Sequence, residues 1–249
     1  MIDAEAPIEV FDEIDSTLLE ARRRAARGAF QPVWLVARRQ SAGYGRRGRA
    51  WVSLEGNLLA THLFSTSLPA STLALLGFGC GLALAETMEA HVGAGRVRLK
   101  WPNDVMIDRA KAAGILIESG AHAGGKLWAA LAFGVNIAVA PAALDQPTIC
   151  LRQALPPDAV TPSAMEFLAG AKPRLEQWAA RIAAGDFAPV RGAWLARAYG
   201  LGELARVAQG ETLLGGRFRD ISPTGELVLE TAIGLRTISA GDVFFPEMT

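Results

Sequence analysis

Apolar and polar positions alternate along residues 8–14, which predicts a strand. Asp15-Ser16-Thr17 ends the alternation, and Thr17 with Glu20 three positions on reads as a capping box. A helix is therefore expected from Thr17 towards Arg27, with Gly28 as its stop. Residues 33–39 form an apolar strand, and residues 57–64 read as the strand that returns after a loop. Residues 72–91 carry helical spacing at Leu73, Leu76, Leu84 and Met88, which predicts a long helix packed in the core. Gly77, Gly79 and Gly81 weaken it intrinsically and suit close packing. Short strands are expected at 96–100, 105–107, 111–118 and 127–137, with a turn at Asp108-Arg109-Ala110. Pro102 cannot donate to a ladder and biases Trp101 towards an extended conformation, and Asn103 and Asp104 then make a turn. These strands would bring Lys100, Lys111 and Asn136 to one rim of a sheet.

Residues 140–162 are loop-like, with several prolines. Met165, Leu168, Leu175, Trp178 and Ile182 share one helix face, with Pro173 as a kink or boundary, and residues 189–200 form a shorter helix. From residue 205 the pattern changes to short strands with turn signals at Gly215-Gly216, Ser222-Pro223-Thr224-Gly225 and Ile233-Gly234. That spacing suggests a small barrel or sandwich. The expected organisation is one large domain over residues 1–203 and a small one over 204–249.

Composition narrows the function classes. The chain has 249 residues, 51% hydrophobic and 20% charged, enough for a well-built core. A formal net charge of +0 gives no bulk attraction to DNA or anionic membranes. No uninterrupted apolar run reaches the ~20 residues of a membrane span, and the first residues are acidic rather than signal-like. Cys80 and Cys150 lie far apart in apolar segments and read as buried thiols, which suits a reducing, cytoplasmic setting. His62, His91 and His122 are scattered, so neither a protein-only metal cluster nor a Ser-His-Asp set is expected.

The candidate chemistry centres on residues 39–51, R-Q-S-A-G-Y-G-R-R-G-R-A-W. Gly43, Gly45 and Gly48 let the backbone approach a ligand, and Arg46, Arg47 and Arg49 offer planar donor forks to carboxylate or phosphate oxygens. The loop suits a lid or cradle for a nucleotide phosphate or an acyl-phosphate. Gly43 to Gly48 also satisfies G-x-G-x-x-G, but a strand rather than a helix follows, and no acidic residue lies between Glu55 and Glu86. As a P-loop it lacks the Lys and the Ser/Thr, with Arg49 and Ala50 in their places. The plainer readings are a basic nucleic-acid loop, a core Trp51, a turn-forming Asp104 and a surface-paired Lys100.

Asp15-Ser16-Thr17, the loop from Gln40 to Trp51, Lys100-Trp-Pro-Asn-Asp104, residues 111–118 and Gly134-Val-Asn136 together resemble the biotin protein ligases. The resemblance implies an α+β fold, a mixed sheet flanked by helices like the class II synthetases, followed by a small SH3-like barrel. It implies an ATP-dependent enzyme that joins biotin to AMP, with Mg²⁺ accompanying ATP, and then passes biotin to a lysine of a carboxyl carrier domain. Ser16, Thr17 and Gln40 would hold the ureido ring, Gly43 would cover the biotin tail, and Gly114 would permit close approach. Arg46 would hold the intermediate and Arg49 a phosphate. Trp51 would wall the adenine and Asn136 read its edge. Lys111 would contact the activated carboxylate, Lys100 and Asn103 would belong to the phosphate and Mg²⁺ region, and Asp104 would orient the incoming amine or the metal.

Two positions depart from the family: Tyr44 stands where arginine is common, and Leu18 where asparagine is common. The Asp-Ser-Thr motif falls within the first twenty residues, so no helix-turn-helix and no operator DNA binding are expected. A monomer or a homodimer is compatible with the sequence. A lipoate or octanoyl ligase or transferase of the same superfamily, and a non-catalytic nucleic-acid-binding protein, are the alternatives.

Overall fold

The computed structural model describes residues 2–142, 146–210 and 212–245. Ala143 to Asp145 of the expected loop, and Glu211 and Pro246 to Thr249 of the expected small domain, lie outside the described residues. The first strands and helices are β1 (Ile8–Ile14), α1 (Thr17–Ala26), β2 (Val33–Gln40), β3 (Leu58–Thr66) and α2 (Ala70–Val92). Next come β4 (Val97–Lys100), β5 (Asp104–Ile107), β6 (Ala110–Ala121) and β7 (Leu127–Val135). Helices α3 (Leu151–Ala154), α4 (Ala164–Ala183) and α5 (Phe187–Leu195) precede β8 (Leu204–Gln209), β9 (Thr212–Ile221), β10 (Leu227–Thr231), β11 (Gly234–Ile238) and β12 (Asp242–Phe244).

Seven strands form a mixed sheet in the order β1-β2-β3-β7-β6-β5-β4, with only β1 and β2 parallel. Helix α2 packs against β6 and α4, and its glycines serve that packing: a Cβ at Gly79 would meet Ile182 at 3.1 Å and Trp178 at 3.2 Å. By length and apolarity α2 could cross a membrane, but 67% of its apolar window is buried inside the fold. Its uniform apolarity is that of a helix covered on most sides.

Two local expectations are corrected. Ser16, not Thr17, is the N-cap of α1: its extended backbone lets its Oγ accept from the amides of Leu18 and Leu19. Pro173 neither kinks the chain into two helices nor ends one, because α4 runs through it from Ala164 to Ala183. Buried Phe167, Leu168, Leu175 and Ile182 on either side keep the helix against the core, which offsets the one ladder bond that proline forfeits.

The small C-terminal unit is an open antiparallel sheet in the order β11-β10-β9-β8-β12, not a closed barrel among the described residues. Closure is not needed to bury its apolar face. Phe218, Leu229 and Phe245 belong to the same buried cluster as Leu76 and Trp194 of the large unit. Trp101 Nε1 donates to the Gly225 carbonyl at 3.0 Å, and a Cβ at Gly225 would meet Leu75 and Phe78, each at 2.9 Å.

Candidate active site

A cavity of about 660 Å³ opens between the large sheet, the glycine-arginine loop and β12. One end is neutral and hydrogen-bonding. The helix start is held by Asp15, whose carboxylate accepts the Ser16 amide at 2.6 Å and takes both terminal nitrogens of Arg23 at 2.7 and 2.9 Å. The Arg23 bond holds the Asp15 carboxyl below its ordinary value. Ser16 and Thr17 are thereby fixed at the cavity wall. The Thr17 amide and hydroxyl both donate to Gln40 Oε1, at 2.7 and 2.9 Å, and Thr17 Oγ1 accepts from Thr61 at 2.8 Å. Gln40 is thus oriented with its amide nitrogen towards Gly43, where a Cβ would lie 2.7 Å away. Ser16 only accepts at the cap, so its hydroxyl proton is available to a ligand.

The loop is a short hairpin. Trp51 N donates to Gly43 O at 2.9 Å, Gly45 N donates to Arg49 O at 2.8 Å, and Tyr44 bridges Ala50. Arg47 at φ 56° and Gly48 at φ 71° reverse the chain at its tip. The tip reaches the small sheet: Arg47 Nη1 lies 2.9 Å from Asp242 Oδ2, Arg49 pairs with the same oxygen, and Arg46 Nη1 donates to Gly241 O at 3.2 Å. Burial pushes the Arg46 guanidinium below its ordinary value, against the pull of Asp242.

The other end is cationic. Lys100 closes β4 and Asp104 opens β5, and the two are paired across the turn made by Trp101, Pro102 and Asn103. Asn103 pins that turn to β6, with Nδ2 donating to Ile115 O at 2.7 Å and its carbonyl accepting Ile115 N at 3.0 Å. Lys111 Nζ pairs with Asp104 Oδ1 at 2.7 Å. Burial lowers the Lys100 pKa, Asp104 opposes that shift, and Lys111 adds to it.

Trp51 lies across the floor. Gly114 of β6 and Gly134 of β7 face each other in register. A Cβ at Gly134 would fall 2.4 Å from Trp51 Cε2, and one at Gly114 2.9 Å from Trp51 Cζ3. The two glycines therefore form a trough that the indole fills, with Lys111 Nζ 5.6 Å from the ring centroid.

Of the residues singled out in the sequence, the cavity brings together the hydroxyl-amide set, Arg46, Arg49, Trp51, Lys100, Asn103, Asp104, Lys111 and Gly114. It does not bring Gly43 or Asn136 to its surface. Asn136 is 2% exposed, and its Nδ2 donates to the carbonyls of Lys111 and Ile149 at 3.4 and 3.3 Å, so here it braces the strand that carries Lys111. Its Oδ1 is buried without a partner. Sequence reasoning missed Asp242, Phe245 and Thr61. Asp242 carries no local signal, being a single acid in a strand of three residues.

Among the described residues no group of three His, Cys, Asp or Glu could hold a metal ion. Asp104 beside Lys111 and Asp242 beside Arg49 are carboxylates of the cavity lining, which fits Mg²⁺ carried on phosphate oxygens with a protein carboxylate beside it.

Residues 14–136 match the biotin/lipoate A/B protein ligase family, and residues 201–245 match the biotin protein ligase C-terminal domain. The chain is 39% identical over 241 residues to a biotin–[acetyl-CoA-carboxylase] ligase of Paracoccus denitrificans, covering 93% of this chain and 97% of that one. The corresponding ligase of Mycobacterium tuberculosis is 30% identical over 95% of this chain and 88% of its own length. Among solved structures, the biotin protein ligase of Aquifex aeolicus in complex with biotin and ATP superposes with a TM-score of 0.78 at 25% identity, covering 96% of this chain and 97% of that one. With a relative 39% identical matched over nearly the whole of both chains, and family models matching within both the large and the small unit, this protein belongs to the biotin protein ligase family.

Proposed function

We infer that this enzyme activates biotin with ATP as biotinyl-5′-AMP and then transfers biotin to a lysine of a biotin carboxyl carrier domain. The observation that carries the reading is the division of one cavity into a neutral hydroxyl-amide end and a cationic end, about 660 Å³ in all. A ureido ring offers one carbonyl acceptor and two N–H donors, and the Ser16 proton and Gln40 amide complement it. A triphosphate and a carboxylate are anions, and Arg46, Arg49, Lys100 and Lys111 complement them.

In the first step a biotin carboxylate oxygen attacks the α-phosphorus and pyrophosphate leaves with the bridging electron pair. The residues' task is to bring two anions together and to neutralise charge as it moves onto the equatorial and leaving oxygens. Lys111, set by Asp104, serves the carboxylate and α-phosphate, and Arg46 holds the mixed anhydride that forms. Arg49 takes a phosphate once it gives up Asp242. Trp51 walls the adenine, while Asn136 supports Lys111 from behind. Mg²⁺ arriving on the triphosphate would neutralise phosphate charge, with Asp104 a carboxylate that could contact it. In the second step a neutral carrier amine attacks the biotinyl carbonyl and AMP leaves, with Asp104 orienting the amine. The hairpin over the cavity keeps water from the adenylate meanwhile.

Biotin-dependent pyrophosphate release from Mg-ATP tests the reading, with lipoate as the control acid. Release with biotin alone supports it. Release with lipoate alone would replace the acid, and release with neither, alongside salt-sensitive RNA or DNA binding, would overturn it.

A further inference from the structure

Tyr44 sits at the base of the glycine-arginine hairpin, between Gly43 and Gly45. Its hydroxyl donates to Glu118 Oε1 of β6 at 3.2 Å. The other Glu118 oxygen takes Arg22 Nε of α1 at 2.5 Å, and the Arg22 guanidinium lies 5.9 Å from the Tyr44 ring centroid. The ring packs against the small buried cluster of Leu18, Leu35 and Leu63 behind the neutral end of the cavity. Burial and the Glu118 charge push the Tyr44 phenol up to about 12, so it stays a donor. The tip of the same hairpin is tied separately, through Asp242.

Three glycines in nine residues make this hairpin costly to order. Here it is closed, tied at its base through Tyr44 and at its tip through Asp242. We propose that Tyr44 is a positioning residue, a latch that ties the hairpin base to β6 and α1 through Glu118 and sets how often the loop opens over the acid-binding end. The proposal concerns the loop itself, and its consequence for biotin rests on the function inferred above. A latch that is closed most of the time governs passage. Loosening it speeds entrance and exit together and leaves the equilibrium affinity almost unchanged, because the closed form still predominates. Damage to the binding site would instead weaken affinity.

Two measurements on the full-length enzyme test it, with Tyr44→Phe removing the hydroxyl and keeping the ring. The first is amide hydrogen exchange without ligand, read at Gly45 and Trp51, whose N–H groups close the hairpin. One hydrogen bond to a charged, partly exposed acceptor predicts about five- to tenfold faster exchange there. Glu118→Ala gives the same acceleration, and adding Tyr44→Phe to it gives no more. The second is stopped-flow biotin association and dissociation, where both rate constants rise by about the same factor in Tyr44→Phe while Kd moves less than twofold. Wild-type exchange at Gly45 and Trp51 in Tyr44→Phe, or additive effects of the two substitutions, would overturn the latch. Faster exchange with a weakened Kd and an unchanged dissociation rate would overturn the gating role. The exchange arm needs no ligand, so a protein that fails to bind biotin would refute the proposed substrate without touching the latch.

Discussion

Gly134→Ala tests the trough beneath Trp51. The added methyl would lie 2.4 Å from Trp51 Cε2 and 2.6 Å from Cζ2 and Nε1. Neither partner yields easily: the indole is rigid, and β7 is bonded on both sides, to β3 and to β6. The indole must leave, because it comes from a loop and the methyl comes from the middle of a sheet. Overpacking of this kind costs about 1–3 kcal/mol, which lowers occupancy of the trough by roughly 5- to 150-fold. If Trp51 walls the adenine, KM for ATP should rise by about that factor, while thermal unfolding changes little because the displaced group is only half-buried. Near-UV circular dichroism reports the indole and pyrophosphate release reports KM. Trp51→Ala removes the clash, so the double variant should be no worse than Trp51→Ala alone. Gly77→Ala is the control: its nearest new neighbour is Ile117 at 3.7 Å, and a helix-interior glycine replaced by alanine should stabilise by about 0.5–1 kcal/mol without touching activity. Wild-type KM for ATP and an unmoved indole signal in Gly134→Ala would refute the trough.

Lys111→Ala should cut adenylate formation by about a thousandfold or more with the fold intact, since the side chain ends in the cavity rather than in the core; wild-type pyrophosphate release would remove Lys111 from the chemistry. Asp242→Ala breaks the pairs to Arg47 and Arg49, which are exposed enough to be worth about 0.2–1 kcal/mol each. Limited trypsin cleavage at those arginines should speed up about two- to thirtyfold, and an unchanged rate would show that the tip is held otherwise. His62 is fully buried between Trp34 and Phe64, and burial lowers its pKa to about 3. The unfolded chain therefore takes up its proton first as pH falls below about 6.5. Stability is full above that pH and drops by about 2 kcal/mol by pH 5, continuing down towards the folded pKa. Urea unfolding of His62→Leu at pH 7 and pH 5 should lack that drop, and an identical drop in the variant would place its origin elsewhere.

Much of the fold was legible because its signals are local. The alternation at Ile8–Ile14, the Asp15-Ser16-Thr17 break and the spacing of Leu73, Leu76, Leu84 and Met88 each act within a few residues. The sequence does not separate Ser16 from Thr17 as the cap, because both are good caps and only the hydrogen bonds distinguish them: Ser16 Oγ takes the helix amides while Thr17 turns to Gln40. The glycine-arginine loop and the Lys100-to-Asp104 turn announced a polyanion site through residue type alone.

What the sequence by itself determined was the order of strands and helices, the helix start beside the cavity, and the presence of donors suited to an acid and a nucleotide. Tertiary structure alone decided what those donors meet. Asp242 reaches Arg47 and Arg49 across nearly two hundred residues because β12 pairs with β8 at the edge of the small sheet. Trp51 finds its floor because Gly114 and Gly134 fall opposite each other in the β6–β7 register. Asn136 lies behind Lys111 rather than at the rim because its side chain bonds to the Lys111 and Ile149 carbonyls. The small sheet stays open because the large unit covers its apolar face. Caps, turns and periodicity are short-range and can be read along the chain, whereas register and packing are settled only when distant segments compete to bury the same surface.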